Sequence, residues 1–303
     1  MPTERRPNLF LVGAQKSGTT TLATLLSCHP QVFFCSPKEP GFLAFGERGY
    51  PFPTGRGEPA AASDWVVQEE SSYLQLFARA PEAASYLGDA STWYLSEPGT
   101  AERIQAFSPD ARIIVILRHP AERAYSAWSH ARRDGEEPLA DFADALAAET
   151  ARQSPSHLLR YRAMGRYASQ LRPYLETFGR ERVLVLRYED LRDSVDALWL
   201  QCLLFLELDP SLPAPKAYRQ NRSGMPRSRQ VQRLLKHEGF KSTMKRLLPT
   251  PLAAWSKAQV DRLNLERFPP MPPAARELLV ADYREEVREL EAMTGLDLSA
   301  WQR

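Results

Sequence analysis

A short apolar run that empties directly into a glycine-bounded polar loop constrains this chain more than any other feature. Leu9-Phe10-Leu11-Val12 leads into Gly13-Ala14-Gln15-Lys16-Ser17-Gly18-Thr19-Thr20, then into Thr21-Leu22-Ala23-Thr24-Leu25-Leu26, whose apolar spacing is helical. Strand, loop and helix in that order aim the loop N–H groups and the positive end of the helix at one point, a setting that suits an anion. Lys16 adds a cation, and Thr19 and Thr20 add hydroxyl donors, so a phosphate is the expected occupant. This is not the nucleotide-hydrolase P-loop. Gly13 and Gly18 keep the spacing of G-x-x-x-x-G-K-[ST], but Thr19 stands where the lysine belongs and the cation comes earlier, at Lys16.

A second anion site is expected further on. The apolar run Ile113–Leu117 ends in Arg118-His119, where a Mg²⁺-using P-loop enzyme would offer an acidic metal ligand. A helix expected over 120–133 carries Ser126 two turns beyond Arg118, and a guanidinium fork with a hydroxyl suits a phosphate dianion.

Runs with β-branched residues recur at Asn8–Val12, Val32–Phe34, Ile113–Leu117 and Val183–Leu186, with helical patterns between them. That alternation predicts an α/β protein of three layers, α/β/α, around a central, mostly parallel sheet. The 303 residues fit one domain, 1–303. Within it, Gly46–Ser63 reads as a long loop, either a lid or acceptor wall or a surface insertion. A C-terminal packing helix is expected over 272–294, opened by Pro272-Pro273, closed by Gly295, and striped by Leu278, Leu279, Tyr283, Val287 and Leu290.

Composition narrows the partners. With 39 Lys and Arg against 37 Asp and Glu the net charge is +2, too small for a general nucleic-acid binder. No apolar stretch approaches the ~20 residues of a membrane span, so neither nucleic acid nor membrane is an expected partner. Cys28, Cys35 and Cys202 lack CxxC spacing and form no ligand set with the scattered histidines, so no metal is expected and a reduced, cytoplasmic setting fits. Nothing here sets the oligomeric state. Charge is concentrated only from Lys216 to Arg246, a basic stretch with the lone acid Glu238, which reads either as a solvated helix face or as part of an anion site. His29, His119 and His130 read as structural; Trp93, Tyr94, Phe42 and Phe45 read as core sooner than as an acceptor pocket.

These residues resemble the sulfotransferases that use 3′-phosphoadenosine 5′-phosphosulfate (PAPS), above all the branch with bacterial small-molecule enzymes and heparan sulfate sulfotransferases. Gly13–Thr20 is similar to the 5′-phosphosulfate loop, Ser36-Pro37-Lys38-Glu39-Pro40 to the acceptor-side base motif, and Ile116-Leu117-Arg118-His119-Pro120 through Tyr125-Ser126 to the 3′-phosphate motif. A looser likeness runs through Gly165-Arg166-Tyr167 and Tyr188-Glu189-Asp190-Leu191 to about residue 235.

The resemblance implies a P-loop-like sulfotransferase fold, PAPS as sulfuryl donor without a metal, and a hydroxyl or amine of a small-molecule or saccharide acceptor. It implies that Lys16 contacts the 5′ phosphate and the bridging oxygen, that Ser17, Gly18, Thr19 and Thr20 hold the 5′ phosphate, and that Arg118 and Ser126 hold the 3′ phosphate. Glu39 would be the general base, and Arg222 and Arg227, around Asn221-Arg222-Ser223-Gly224, would close over the cofactor. One segment departs from the pattern: Asp89-Ala90-Ser91-Thr92 matches a Glu-Lys-Thr/Ser-Pro stretch with Ala90 in place of the lysine, which makes Asp89 the reserve candidate for the base. An ATP-dependent kinase with an aberrant loop and a non-catalytic nucleotide-binding protein are the competing readings; Thr19 and Arg118 speak against the first, Lys16 and Glu39 against the second.

Overall fold

The computed structural model describes residues 5–46, 66–152, 159–216 and 269–303, with the backbone of 225–226 and 265–266. In chain order, β1 (Leu9–Gly13), α1 (Thr19–Leu26) and β2 (Val32–Phe34) precede α2 (Glu70–Gln75), β3 (Tyr86–Asp89), α3 (Thr100–Phe107), β4 (Arg112–Leu117) and α4 (Pro120–Asp134). Then follow α5 (Phe142–Ala151), α6 (Tyr167–Phe178), β5 (Val183–Arg187), α7 (Tyr188–Asp193), α8 (Val195–Phe205), the short antiparallel pair β6 (Met225–Pro226) and β7 (Leu265–Glu266), and α9 (Pro273–Thr294).

Five strands form a parallel sheet in the order β2-β3-β1-β4-β5. Successive side chains of a strand face opposite ways, and the burial follows that period. Phe10, Val12, Ile113, Val115 and Leu117 join one core with residues of α3, α4, α6 and α9. Leu9, Leu11, Ile114 and Ile116 join another with residues of α1 and α8. Helices therefore cover both faces, the three-layer arrangement expected. Truncating a residue such as Ile114, 0% exposed, to alanine would cost about 2–5 kcal/mol.

One strand escaped the sequence reading. Ile113–Leu117 is the fourth strand in the chain, because Tyr86–Asp89 forms β3 between β2 and β1. Its Gly-Asp pair looks like a turn, yet Gly88 is required by packing: a Cβ there would stand 2.5 Å from the Phe34 ring on the neighbouring strand. In α9, Leu279, Tyr283, Val287 and Leu290 are buried as expected and Gly295 closes the helix at φ 74°. Leu278 instead faces outward, 45% exposed, while Ala275 and Val280 complete the buried stripe. Apart from Gly46, the loop expected over Gly46–Ser63 lies outside the described residues, as do Arg222 and Arg227.

Strand order reverses at β1, with β3 and β2 to one side and β4 and β5 to the other. Open parallel sheets place their ligand crevice at the carboxyl ends of the strands at such a point. Here that is the loop after β1.

Candidate active site

β1 is wholly buried, and its last residues hand the chain to the loop 14–18, pinned where the Ala14 N–H donates to the Ile116 carbonyl on β4 at 2.7 Å. Gly18 is the N-cap of α1 at φ 88°, so no side chain caps that helix. A Cβ at Gly18 would also meet the Tyr188 ring at 2.8 Å. The open helix end, with Thr19 and Thr20 in its first turn, retains the donors an anion needs. Among the described residues the buried Gln15 Oε1 beside it has no hydrogen-bond partner.

A cavity of about 380 Å³ opens on this loop. Lys16, Gly18, Thr19, Thr20, Glu39, Arg118 and Ser126 all line it, so seven positions singled out in the sequence converge on one space. Ser17 does not: it is fully buried beneath the loop, its N–H donating to the Ala14 carbonyl at 3.2 Å.

Burial and the neighbouring Arg133 hold the Lys16 ammonium down from its ordinary 10.5 to about 8, with Arg118 pushing the same way and Asp134 and Glu39 opposing. An arriving polyanion would reverse that pressure. Arg118 sits just past β4, donates from Nη1 to the Lys16 carbonyl at 3.4 Å, and lies with its guanidinium carbon 4.9 Å from the centre of the Tyr188 ring. His119 caps α4, its Nδ1 accepting from the Ala121 N–H at 3.2 Å, which confirms a structural role. α4 then carries Ser126 and His130, one turn apart, into the cavity.

Glu39 follows β2. Its Oε1 pairs with Lys38 Nζ at 2.5 Å and its Oε2 accepts from Thr92 Oγ1 at 3.0 Å. Among the described residues the non-glycine positions with positive φ are Lys16 at 67°, Glu39 at 64° and Glu207 at 53°. Left-handed backbone costs an L-residue roughly 1–2 kcal/mol, and strain of this kind collects at functional sites. Two of the three are the residues singled out for chemistry.

Several lining residues were missed by sequence reasoning. His130 was set aside as structural, yet its Nδ1 lies 3.2 Å from Asp134 Oδ2 and its ring faces the same cavity as Glu39. The signal was present: it stands four residues after Ser126, hence on one helix face. Thr92, Trp93, Tyr188 and Arg192 also line the cavity; Trp93 is both core and wall, 7% exposed. Tyr94 and Phe45 are core, as expected. Asp89 is 0% exposed and does not reach the cavity lining. No group of three or more His, Cys, Asp or Glu residues placed to hold a metal occurs among the described residues.

Comparison with known proteins decides the lineage. The Sulfotransferase family pattern matches residues 7–209, from before β1 to the end of the α8 region. The chain belongs to the sulfotransferase family. A sulfotransferase from Alicyclobacillus acidocaldarius shares its fold at TM-score 0.74 and 30% identity, covering 99% of this chain and 100% of that one. Bifunctional heparan sulfate N-deacetylase/N-sulfotransferase 1 of Caenorhabditis elegans is 28% identical over 192 residues, 61% of this chain and 20% of that protein. The human N-deacetylase/N-sulfotransferase 2 is 27% identical over 217 residues, 69% of this chain and 23% of its own length. The chain thus spans about a fifth of the length of those curated relatives.

Proposed function

We propose that the chain transfers the sulfuryl group of PAPS to a hydroxyl or amine of a small-molecule or saccharide acceptor. The observation that carries this reading is the convergence of Lys16 and Glu39, a cation and a carboxylate, on one cavity between an uncapped helix end and Arg118. The donor set fits the cofactor: helix N–H groups, two threonine hydroxyls and an ammonium at one place, and a guanidinium with the Ser126 hydroxyl at another.

PAPS would supply an activated sulfuryl group; as sulfur bonds to the acceptor its bond to the bridging oxygen would break, and adenosine 3′,5′-bisphosphate would leave with new negative charge on that oxygen. Lys16 stabilises that charge by position, and the α1 N-terminus with Thr19 and Thr20 holds the 5′ phosphate. Arg118 and Ser126 recognise the 3′ phosphate, and Gly18 keeps the loop close to Tyr188. Ser17, buried in the loop turn that its N–H closes on the Ala14 carbonyl, is retained for the 5′ phosphate, and Arg222 and Arg227 as closing residues, on the resemblance alone. Glu39 takes the acceptor proton at its carboxylate, where Thr92 and Lys38 fix its orientation. No metal enters this scheme. With three unpaired cysteines, and no described helix long and apolar enough to cross a membrane, we place the protein in the cytoplasm.

The test is incubation of the protein with PAPS and a panel of hydroxyl- and amine-bearing saccharides and small molecules, read by mass spectrometry. Addition of one sulfuryl group to a panel member in the presence of a chelator is expected. Turnover of ATP with Mg²⁺, and none of PAPS, would replace this reading by the kinase.

A further inference from the structure

Glu39 is a strained residue with a side chain about one-third exposed, so something must hold its backbone in place. The segment that follows β3 does so by three bonds to the segment that follows β2. Thr92 Oγ1 donates to Glu39 Oε2 at 3.0 Å, the Gly41 N–H donates to Ser91 Oγ at 3.4 Å, and the Leu43 N–H donates to Tyr94 Oη at 3.1 Å. The last two work only if both hydroxyls turn their lone pairs to the backbone and their protons elsewhere. Asp89 receives those protons: Ser91 Oγ donates to Oδ1 at 2.7 Å and Tyr94 Oη to Oδ2 at 2.7 Å, and Tyr73 Oη on α2 adds a third donor at 2.7 Å.

With Asp89 ionised, the network has one consistent proton arrangement. Each hydroxyl has a single proton, and Ser91 and Tyr94 already accept from an N–H, so each must donate to the carboxylate. Burial pushes the Asp89 carboxyl upward and the three hydroxyls, with Lys38 nearby, oppose it.

We propose that Asp89 is the positioning residue of the acceptor side: its buried carboxylate orients the Ser91 and Tyr94 hydroxyls, which hold the Gly41–Leu43 backbone and thereby set the carboxylate of Glu39. This assigns to Asp89 a part quite different from that of a reserve base, since a group 0% exposed behind three hydroxyls meets no acceptor. The inference rests on reading Glu39 as the base.

The test uses Ser91→Ala and Tyr94→Phe, which each remove one hydroxyl and leave the carboxylate two donors, with Asp89→Asn as the stronger variant. Misplacement of a reacting group by an ångström costs as much as ~10²-fold, so kcat is expected to fall ~10- to 10²-fold in Tyr94→Phe. Affinity for adenosine 3′,5′-bisphosphate should stay within about twofold of wild type, because the network touches none of the phosphate loop. In a Glu39→Gln background the same substitutions should cost no further rate, whereas a merely structural role would cost the same factor in both backgrounds. Equal losses in both backgrounds, or unchanged kcat in Ser91→Ala and Tyr94→Phe, would overturn the assignment. Full turnover by Glu39→Gln alone would show that the base reading itself has failed, and the assignment would fall with it.

Discussion

At the donor end of the cavity, eight consecutive residues, Gly13 to Thr20, do most of the building, and β4 adds Arg118 just past its own end. At the acceptor end the parts come from three separated places, Glu39 after β2, Thr92 and Trp93 after β3, and His130 on α4. The first end is held by backbone geometry: a buried strand, a helix terminus and a left-handed glycine. The second is held by side chains bonding across segments far apart in sequence. Both ends need the sheet, since the Ala14 N–H bonds to Ile116 on β4, but the first draws most of its groups from one contiguous loop, and the chemistry of the second can change by altering loops without disturbing the donor end.

Substitutions should therefore divide by end. The largest expected effect is at Glu39: Glu39→Gln should lower kcat by ~10²–10⁴-fold with affinity for the bisphosphate nucleotide unchanged, measured by steady-state kinetics beside calorimetry. A proportional loss of nucleotide binding would erase the division, since Glu39 would then be organising the donor loop.

Lys16→Ala comes next, lowering turnover by at least ~10²-fold at saturating PAPS, the amount a donor aimed at developing charge contributes. Rapid-quench measurement of the chemical step should show the loss there. Near-normal turnover would mean that Lys16 only binds.

Arg118→Ala should weaken adenosine 3′,5′-bisphosphate by about 1.5–3 kcal/mol and leave adenosine 5′-monophosphate nearly untouched. Equal weakening of both nucleotides would locate Arg118 in loop support, through its bond to the Lys16 carbonyl, and not at the 3′ phosphate.

The smallest effect is a pH dependence. Lys16, held at about 8 by burial and the neighbouring arginines, is charged below that value, and phosphate binding should restore it toward its ordinary 10.5. Nucleotide binding should then take up a proton, little at pH 7 and close to one at pH 9, and affinity should fall as pH rises through 8. For folding the sign is opposite: between 8 and 10.5 the unfolded chain binds more protons at this lysine, so its contribution to stability rises with pH. Calorimetry in buffers of different ionisation enthalpy reads the uptake, and Lys16→Arg should abolish it, because guanidinium does not titrate in this range.

The same contrast explains what could be read in advance. Strand β1, the loop and α1 were legible because periodicity and loop chemistry coincide within about eighteen residues. The approach of Arg118 and Ser126 to one cavity was legible because one follows a strand end and the other lies on the helix that begins two residues later. β3 was not, since four residues ending in Gly-Asp carry no strand pattern, and the reason for Gly88 lies in Phe34 on another strand. With β3 unseen, neither Asp89 nor its partners could be connected to Glu39. Ser17 is buried within the loop turn that its N–H closes on Ala14, and its burial depends on what the loop packs against, which the sequence does not signal. Leu278 failed as core because at about 100° per residue it falls about 60° outside Ala275, beyond the stripe that Leu279, Tyr283, Val287 and Leu290 share.

The account's central claim is that the loop after β1 and the arginine after β4 form one site for a nucleotide phosphorylated at both 3′ and 5′ positions. Calorimetric titration of the wild-type protein in a chelator, with adenosine 3′,5′-bisphosphate and then adenosine 5′-monophosphate, tests it most directly. The bisphosphate should bind at least ~10-fold more tightly, the lower bound for a charged hydrogen-bonded partner. Equal affinity for the two, or strong binding only of ATP with Mg²⁺, would contradict it.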